Sequence, residues 1–283
     1  MHSISKQRKL NTALYHIFVC LFGFVMIYPL LWLLASSFKL NENIFSDALN
    51  LIPVPFTLQN YANGWKGFAG VGFSNFFKNS FIISILATVG ASLSSAVIAY
   101  GFARGRFKLK KLLFVCMMVT MMLPYQVIMV PQFIIFQRLG WVGGFLPLIV
   151  PYFFGQGFFI FLIMQFIQGI PRDLDEAARI DGCSMYGIFS RIILPLIVPA
   201  IVTCVVFSFM WRWDDFLASL IYLNNPVKYT VSLALRMFSD PSSLSDWGSM
   251  FAMSILSLVP IFIIFVTCQK YLVEGISTSG LKG

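Results

Sequence analysis

The chain has 283 residues, of which 58% are apolar and only 11% are charged, whereas soluble domains carry about 25% charged residues. A soluble domain of this size cannot bury all 31 phenylalanines, so lipid must solvate much of the surface. The net charge of +9 does not indicate nucleic-acid binding, because the basic residues lie between apolar runs rather than on one face.

Six long stretches lack Asp, Glu, Lys and Arg, and each reaches the 20 or so residues that a bilayer crossing needs. The sequence therefore predicts an all-α integral membrane protein with six transmembrane helices, in the runs 13–38, 79–103, 112–137, 141–170, 192–211 and 247–269. The first run exceeds the 7–15 apolar residues of a signal peptide, so we interpret it as an uncleaved span. Interior prolines such as Pro124 and Pro131 predict kinks.

Lysine and arginine are distributed unequally between the segments that connect these runs. The two ends of the chain and the segments after the second and fourth runs hold 13 of them, and the other connecting segments hold six. Because basic residues accumulate on the cytosolic side, both termini are predicted to be cytosolic. The external segments, 39–78 and 212–246, are too short to form separate domains.

A polar stretch between the fourth and fifth runs has a specific spacing: Glu176-Ala177-Ala178, three residues, Gly182, nine residues, then Ile192-x-Leu194-Pro195. Asp173 and Glu176 have the spacing of a capping box, and Gly182 suits the left-handed residue that ends a helix. This predicts a helix over 174–181, ending at Asp181 and spanning only about 12 Å. So short a helix is marginal alone and needs a docking surface. Pro195 fits the first turn of the fifth span.

This spacing resembles the EAA loop of binding-protein-dependent ABC importer permeases at every defined position. Three other segments resemble carbohydrate permeases of the maltose-transporter type: 56–61, 120–126 and 269–283. The resemblance implies a type I ABC importer permease fold, with residues 1–78 as tail, first helix and external loop, 79–270 as the core with its coupling loop, and 271–283 as a cytosolic tail. It also implies that one set of residues couples the chain to an ATPase: Glu176, Ala177, Ala178, Asp181, Gly182, Leu194 and Pro195.

The partners that the resemblance implies are a second homologous permease in a heterodimer, two copies of an ATPase subunit, an extracellular solute-binding protein and a carbohydrate. This chain itself is expected to bind no cofactor, since ATP and magnesium belong to the ATPase. The two histidines stand alone, and no HExxH, GxSxG or P-loop occurs, so no enzyme activity and no metal site are predicted. The five cysteines form no CxxC pair.

The cluster Trp211-Arg212-Trp213-Asp214-Asp215 follows the fifth run, near the outer interface. One interpretation is an aromatic anchor with a local pair between Arg212 and an aspartate. The other is an outer vestibule in which Trp213, Asp214 and Asp215 contact the binding protein or sugar hydroxyls. The sequence leaves both open.

The predicted function is that of a permease subunit of an ATP-driven carbohydrate importer in a prokaryotic cytoplasmic membrane. A secondary transporter is one alternative, but it favours acidic groups in mid-span and the six runs contain none. A membrane-embedded enzyme would need a polar catalytic cluster within the spans. An importer of a non-sugar solute such as glycerol phosphate remains a further alternative.

Overall fold

The computed structural model describes residues 2–238 and 246–280, with side chains described for 11–238 and 246–271. Contacts between Cα atoms group the chain into two units, one of Met1–Gly67 with Leu235–Leu258 and one of Phe68–Ala234 with Val259–Gly283. This grouping rests on contacts and does not test the predicted division of the chain after residues 78 and 270. That division stays a prediction.

The first unit begins with a long apolar helix and two short ones: α1 (His2–Ser36), α2 (Asn43–Ser46) and α3 (Gln59–Lys66). Asn60 of α3 is buried and donates its side-chain N–H groups to the carbonyls of Ser37 and Lys39, at 2.8 and 2.7 Å. These bonds satisfy two carbonyls of the segment that follows α1, and they fasten that segment to α3.

The remaining helices in chain order are α4 (Phe73–Arg104), α5 (Lys110–Met122), α6 (Tyr125–Arg138), α7 (Leu146–Ile149), α8 (Gly157–Gly169), α9 (Asp173–Ile180), α10 (Met185–Ile188), α11 (Leu194–Leu196), α12 (Val198–Trp213), α13 (Phe216–Tyr222), α14 (Val231–Met237) and α15 (Trp247–Gly280). Two 3₁₀ segments, Val150–Phe154 and Pro226–Lys228, and a π-helical turn, Phe189–Ile193, lie between them.

Helix α4 is the centre of the second unit, because it packs against α8, α12 and the 3₁₀ segment Val150–Phe154. Small side chains allow this close packing, as is usual between helices in membranes. At Gly90 a Cβ atom would lie only 2.5 Å from the ring of Phe153, so any larger residue would have to displace that ring.

Within the described residues, four helical segments are long and apolar enough to cross a membrane: Asn11–Ser36, Phe73–Arg104, Leu146–Gly169 and Trp247–Tyr271. Two pairs of helices reach that length only together, and each pair is sharply bent, Lys110–Met122 with Tyr125–Arg138 by 103° and Met185–Leu196 with Val198–Trp213 by 74°. The six predicted runs thus correspond to three continuous helices, one helical segment that is interrupted at residues 155–156, and two sharply bent pairs. The chain is an all-α, multi-pass membrane protein.

Proline chemistry explains the first break. Leu123 is extended (ψ 122°), as expected for a residue that precedes proline, and Pro124 is extended as well (ψ 136°). The run 112–137 therefore forms two helices and not the single kinked span that was predicted. Pro131, the other proline of the run, lies inside α6.

At the second break, the proline responsible is not the one that was predicted. Pro195 lies in α11, before the bend, and not in the first turn of the long helix α12. Pro199 occupies that position instead, after Ile197, whose ψ of 8° interrupts the helix. Because Pro199 has no N–H and its ring crowds the carbonyl four residues earlier, the helical ladder cannot pass this point unbent.

Candidate functional site

Helix α9 contains the Glu-Ala-Ala motif, and it begins one residue earlier than predicted. Arg172 is its N-cap, and the Glu176 amide donates to the Arg172 carbonyl at 3.1 Å. The predicted capping box is therefore wrong: no side chain caps the helix, since the amide that Asp173 was expected to bind already has a backbone acceptor. Asp173 instead joins Asp175 and Glu176 in the first turn, where the positive helix end favours carboxylates.

The C-terminus of α9 has the predicted glycine conformation. Asp181 is the cap residue, one position beyond the helix, and Gly182 follows with a φ of 81°. The Gly182 amide donates to Arg179 and the Cys183 amide donates to Ala178, at 3.0 and 2.9 Å. These two bonds form a Schellman motif, which ends the helix and turns the chain toward α10.

The two alanines of the motif differ in burial. Ala178 is buried, with 5% of its surface exposed, and belongs to the core that contains Ile163, Ile188 and Ile193. Ala177 is exposed. The expectation that both alanines form a low surface for docking is therefore wrong for Ala178, which packs α9 onto its own chain.

A buried ion pair fastens α9 to the end of α4. The Arg104 Nε atom lies 2.7 Å from Asp175 Oδ2, and both side chains are more than 90% buried. The contact is an ion pair rather than a hydrogen bond, because the Nε–H group has no acceptor in suitable geometry. Arg104 also donates from Nη2 to the Ile170 carbonyl at 2.7 Å, just before α9. Sequence reasoning missed this pair.

Helix α9 and the start of α10 also expose apolar side chains outside the candidate spans or at their ends. Ile180 and Tyr186 are 87% and 84% exposed, and Leu174 and Met185 are also exposed. With Ala177 they form what we call the coupling surface, defined as Leu174, Ala177, Ile180, Met185 and Tyr186. Glu176 is exposed beside it. These five positions are occupied by five different residue types, so the sequence alone did not identify them as one surface.

The second half of the motif lies further along the chain, in α11. Leu194 is half-buried and packs against the same core as Ala178, whereas Pro195 is exposed. Nearby, Tyr100 of α4 donates its hydroxyl to the Met185 carbonyl at 3.4 Å and its ring contacts Phe189. The part of the chain around the motif is thus attached to α4 at two points, Arg104 and Tyr100.

A cavity of about 540 Å³ lies at the other candidate site. It lies where three helical segments are interrupted: between α5 and α6, between the 3₁₀ segment Val150–Phe154 and α8, and between α12 and α13. Its lining residues are Tyr125, Tyr152, Gln156, Trp211, Arg212, Asp214, Asp215, Phe216 and Leu217. Interrupted helices are where membrane transporters expose backbone and side-chain polar groups to a substrate.

The expected place of Trp213 at this site is wrong. Trp213 is buried, with 3% of its surface exposed, and packs against Phe77, Phe81 and Phe209. Trp211 lines the cavity instead, with its ring stacked on Phe159 at 5.5 Å between centroids. Residues two apart on a helix point in nearly opposite directions, so only one of the two tryptophans can face the cavity.

The local ion pair in the cluster forms between Arg212 and Asp215. Arg212 Nη1 donates to Asp215 Oδ2 at 2.6 Å and also to the Tyr152 hydroxyl, and its guanidinium lies over the Tyr152 ring. Asp215 Oδ1 accepts from the Ala218 amide at 3.1 Å and caps α13. Asp214, just after α12, is accessible to solvent, but surrounding protein atoms partly desolvate its carboxylate. This desolvation and, secondarily, the nearby carboxylate of Asp215 raise the pKa of Asp214.

Two serines of α4 hold the wall of this cavity. Ser94 donates its hydroxyl to the Tyr152 carbonyl at 3.2 Å, and Ser95 accepts from the Gln156 amide at 3.0 Å. Arg104 lies nine residues further along the same continuous helix. Within the described residues, no three His, Cys, Asp or Glu side chains are grouped so that they could hold a metal ion.

Comparison with known proteins gives consistent matches. Residues 92–278 match the family model of the binding-protein-dependent transport system inner membrane component. The probable ABC transporter permease protein YurM of Bacillus subtilis is 35% identical over 94% of this chain and 87% of its own length. The arabinooligosaccharides transport system permease protein AraQ of the same species is 30% identical, with 94% of each chain covered.

A solved structure of a bacterial ABC transporter involved in the import of the acidic polysaccharide alginate has the same fold. The TM-score is 0.76 at 19% identity, over 93% of this chain and 96% of that chain. The residues that the family model matches make up about two thirds of the chain. The protein belongs to the family of binding-protein-dependent transport system inner membrane components.

Proposed function

We propose that this chain is one of two permease subunits of an ATP-driven importer that moves a carbohydrate across the cytoplasmic membrane of a prokaryote. The relative named as an arabinooligosaccharide permease supports a carbohydrate substrate. The mechanism is alternating access, in which the helix bundle opens first to the outside and then to the cytosol. The extracellular binding protein delivers the sugar to the outward-open bundle.

The coupling surface is the observation that carries this proposal. An exposed apolar patch at the end of the spans is typical of a protein interface, and tyrosine and methionine are enriched in such interfaces. The surface is built on α9, which is too short to be stable alone and is held by the Arg104–Asp175 pair. We assign its occupant as a separate ATPase subunit, with Glu176, Ala177, Asp181 and Gly182 at the contact.

ATP hydrolysis belongs to that ATPase, because this chain contains no P-loop. ATP and magnesium therefore bind to the partner, and this chain contributes movement only. When ATP closes the two ATPase copies, α9 moves with the groove that holds it, and the ion pair passes this movement to α4. Phosphate release reverses the movement. Leu194 and Pro195 fix the region between α9 and the bend before α12.

The remaining partners and the orientation follow from the same proposal. A second homologous permease completes the pathway as a heterodimer, and both termini lie in the cytosol, since 13 of the 20 basic residues lie in the segments assigned to that side. The coupling surface then faces the ATPase in the cytosol.

Reconstitution tests the proposal. The chain is co-purified in nanodiscs with the second permease and the ATPase, and ATP hydrolysis is measured with the binding protein added alone and loaded with sugar. We expect the loaded binding protein to stimulate hydrolysis, and the loss of any one component to abolish the stimulation. Sugar uptake into proteoliposomes without the ATPase, driven by a proton or sodium gradient, would instead establish a secondary transporter. Stimulation by glycerol phosphate but by no sugar would refute the carbohydrate assignment.

A further inference from the structure

The cavity between the interrupted helices contains three charged side chains, and their arrangement bears on the charge of the substrate. The three are Arg212, Asp214 and Asp215, which sum to a charge of −1. What a ligand meets there depends on which of these charges are already neutralised inside the protein.

The positive charge of Arg212 is already engaged. Its Nη1 donates to both Asp215 and Tyr152, and its Cζ atom lies 4.5 Å from the centroid of the Tyr152 ring. Asp215 is equally engaged, since one carboxylate oxygen accepts from Arg212 and the other from the Ala218 amide. A ligand anion would have to break this pair in order to use Arg212.

Asp214 differs from its neighbour. Its side chain is exposed and lines the cavity, and within the part of the chain that the structure describes no basic side chain lies within ion-pair distance of it. Its carboxylate therefore presents an unbalanced negative charge to anything that enters. A like charge placed nearby is a common way in which a protein rejects one class of ligand.

The rest of the lining is uncharged and suits a sugar. Trp211 supplies a broad aromatic face, Gln156 an amide, and Tyr125 a phenol ring with a hydroxyl. Pockets that bind small molecules are about 300–1,000 Å³ and combine aromatic walls with a few polar groups, and this cavity of about 540 Å³ lies in that range.

We propose that this cavity is a subsite for an uncharged sugar unit stacked on Trp211, and that Asp214 excludes sugars that carry a carboxylate, sulfate or phosphate. The inference rests on the proposed function, since it specifies the substrate class of the same importer. It also distinguishes this chain from the alginate importer of the same fold, whose substrate is an acidic polysaccharide.

Direct binding to the permease pair in nanodiscs tests the inference without the binding protein, which would otherwise select the sugar first. The uncharged probes are maltose, cellobiose, xylobiose and galactobiose, and the acidic probe is digalacturonate, the oxidised counterpart of galactobiose. Affinities are measured by isothermal titration calorimetry. We expect at least one uncharged disaccharide to bind at least fivefold more tightly than digalacturonate. The repulsion between two like charges near a solvated surface gives an affinity ratio of this order.

The decisive variant is Asp214→Asn, which keeps the shape of the side chain and removes its charge. We expect it to reduce the ratio of uncharged to acidic affinity by roughly fivefold or more. Asp173→Asn is the matched control, because Asp173 is an exposed aspartate on α9, away from the cavity. We expect it to leave the ratio unchanged. Trp211→Ala should weaken binding of the uncharged sugars.

Three results would overturn the inference. Digalacturonate binding as tightly as the best uncharged probe would show that the cavity does not exclude acidic sugars. An unchanged ratio in Asp214→Asn would remove the role of that residue, and binding of none of the four uncharged probes would remove the subsite. None of these three results decides the proposed function, which is tested separately by stimulation of the ATPase in the complete complex.

Discussion

Arg104 and Asp175 show how much the role of a residue depends on a partner far along the chain. In the sequence Arg104 is one of several basic residues after the second apolar run, and Asp175 is one of three acidic residues near the start of α9. The two are separated by 71 positions, so no local pattern could pair them. Burial converts them from surface charges into the attachment of α9 to α4.

Asp175→Asn tests this attachment. We expect the variant to leave Arg104 buried without a counter-charge, which typically costs about 3–5 kcal/mol. The thermal midpoint of the purified permease in detergent should therefore fall. Asp173→Asn, in the same turn but exposed, should leave the midpoint nearly unchanged. Equal midpoints for the two variants would contradict a structural role for the pair.

A double replacement separates charge from packing at this position. We expect Arg104→Met together with Asp175→Leu to regain most of the lost stability, because well-packed apolar residues often replace a buried ion pair without loss. Stimulation of the ATPase provides the second measurement. If the double variant is less stable than Asp175→Asn alone, Arg104 matters mainly through its bond to the Ile170 carbonyl and not through the pair.

The neighbouring alanines of the motif allow a matched experiment, since one is exposed and the other is buried. We expect Ala177→Trp to preserve the thermal midpoint but to reduce the amount of ATPase that co-purifies, because the indole would obstruct the contact. Ala178→Trp should instead lower the midpoint, because overpacking a core typically costs about 1–3 kcal/mol or more. The opposite order of effects would place the ATPase contact on the buried side.

At the scale of elements, the sequence predicted where apolar helices lie better than where they break. The absence of charge in each run follows directly from the need to avoid charged groups in lipid, and all six runs are mostly helical. The break at Leu123–Pro124 shares its local signal, a proline, with the unbroken α6 at Pro131 and α15 at Pro260. Which proline only bends a helix and which interrupts it depends on tertiary packing.

The end of α9 could be predicted because its signal is local. Gly182 has positive φ and open space around it, so a substitution meets no neighbouring atom and its whole cost is backbone strain. We expect Gly182→Ala to destabilise the protein by about 1 kcal/mol or more, and Gly182→Asn by less, because asparagine tolerates this conformation better. Chemical denaturation of the purified permease measures both.

Gly169, at the end of α8, is the matched control for this substitution. It also has open space around it but does not have positive φ. Gly169→Ala should be neutral or slightly stabilising, since alanine reduces the freedom of the unfolded chain. A similar loss at both glycines would mean that strain at Gly182 is not what ends α9.

At the scale of the whole molecule, orientation in the membrane is a prediction from charge alone. Phe107→Cys and Val227→Cys, introduced singly into a variant without the five native cysteines, report the two sides, and both positions are exposed. We expect an impermeant thiol reagent added to intact cells to label position 227 and to label position 107 only after the membrane is opened. Labelling of position 107 from outside would invert the topology.

The cavity could not be predicted from the sequence, although its three charged residues belong to a cluster that the sequence analysis identified. The sequence does not distinguish Trp211 from Trp213. Their side chains point about 200° apart around the axis of α12. Their roles are decided by what α12 packs against, which is α4 on one side. Tyr125, Tyr152 and Gln156 reach the cavity because other helices break beside it, and those breaks depend on the packed bundle.

One continuous helix, α4, holds the cavity wall through Ser94 and Ser95 and holds α9 through Arg104, about 14 Å further along its axis. Two binding events attached to one stiff element share a coupling free energy, and such a coupling is reciprocal. The factor by which a docked ATPase changes the affinity of the cavity for sugar must equal the factor by which sugar changes the affinity for the ATPase. Titrating the permease pair with ATPase, with and without saturating sugar, therefore measures the coupling without any turnover of ATP.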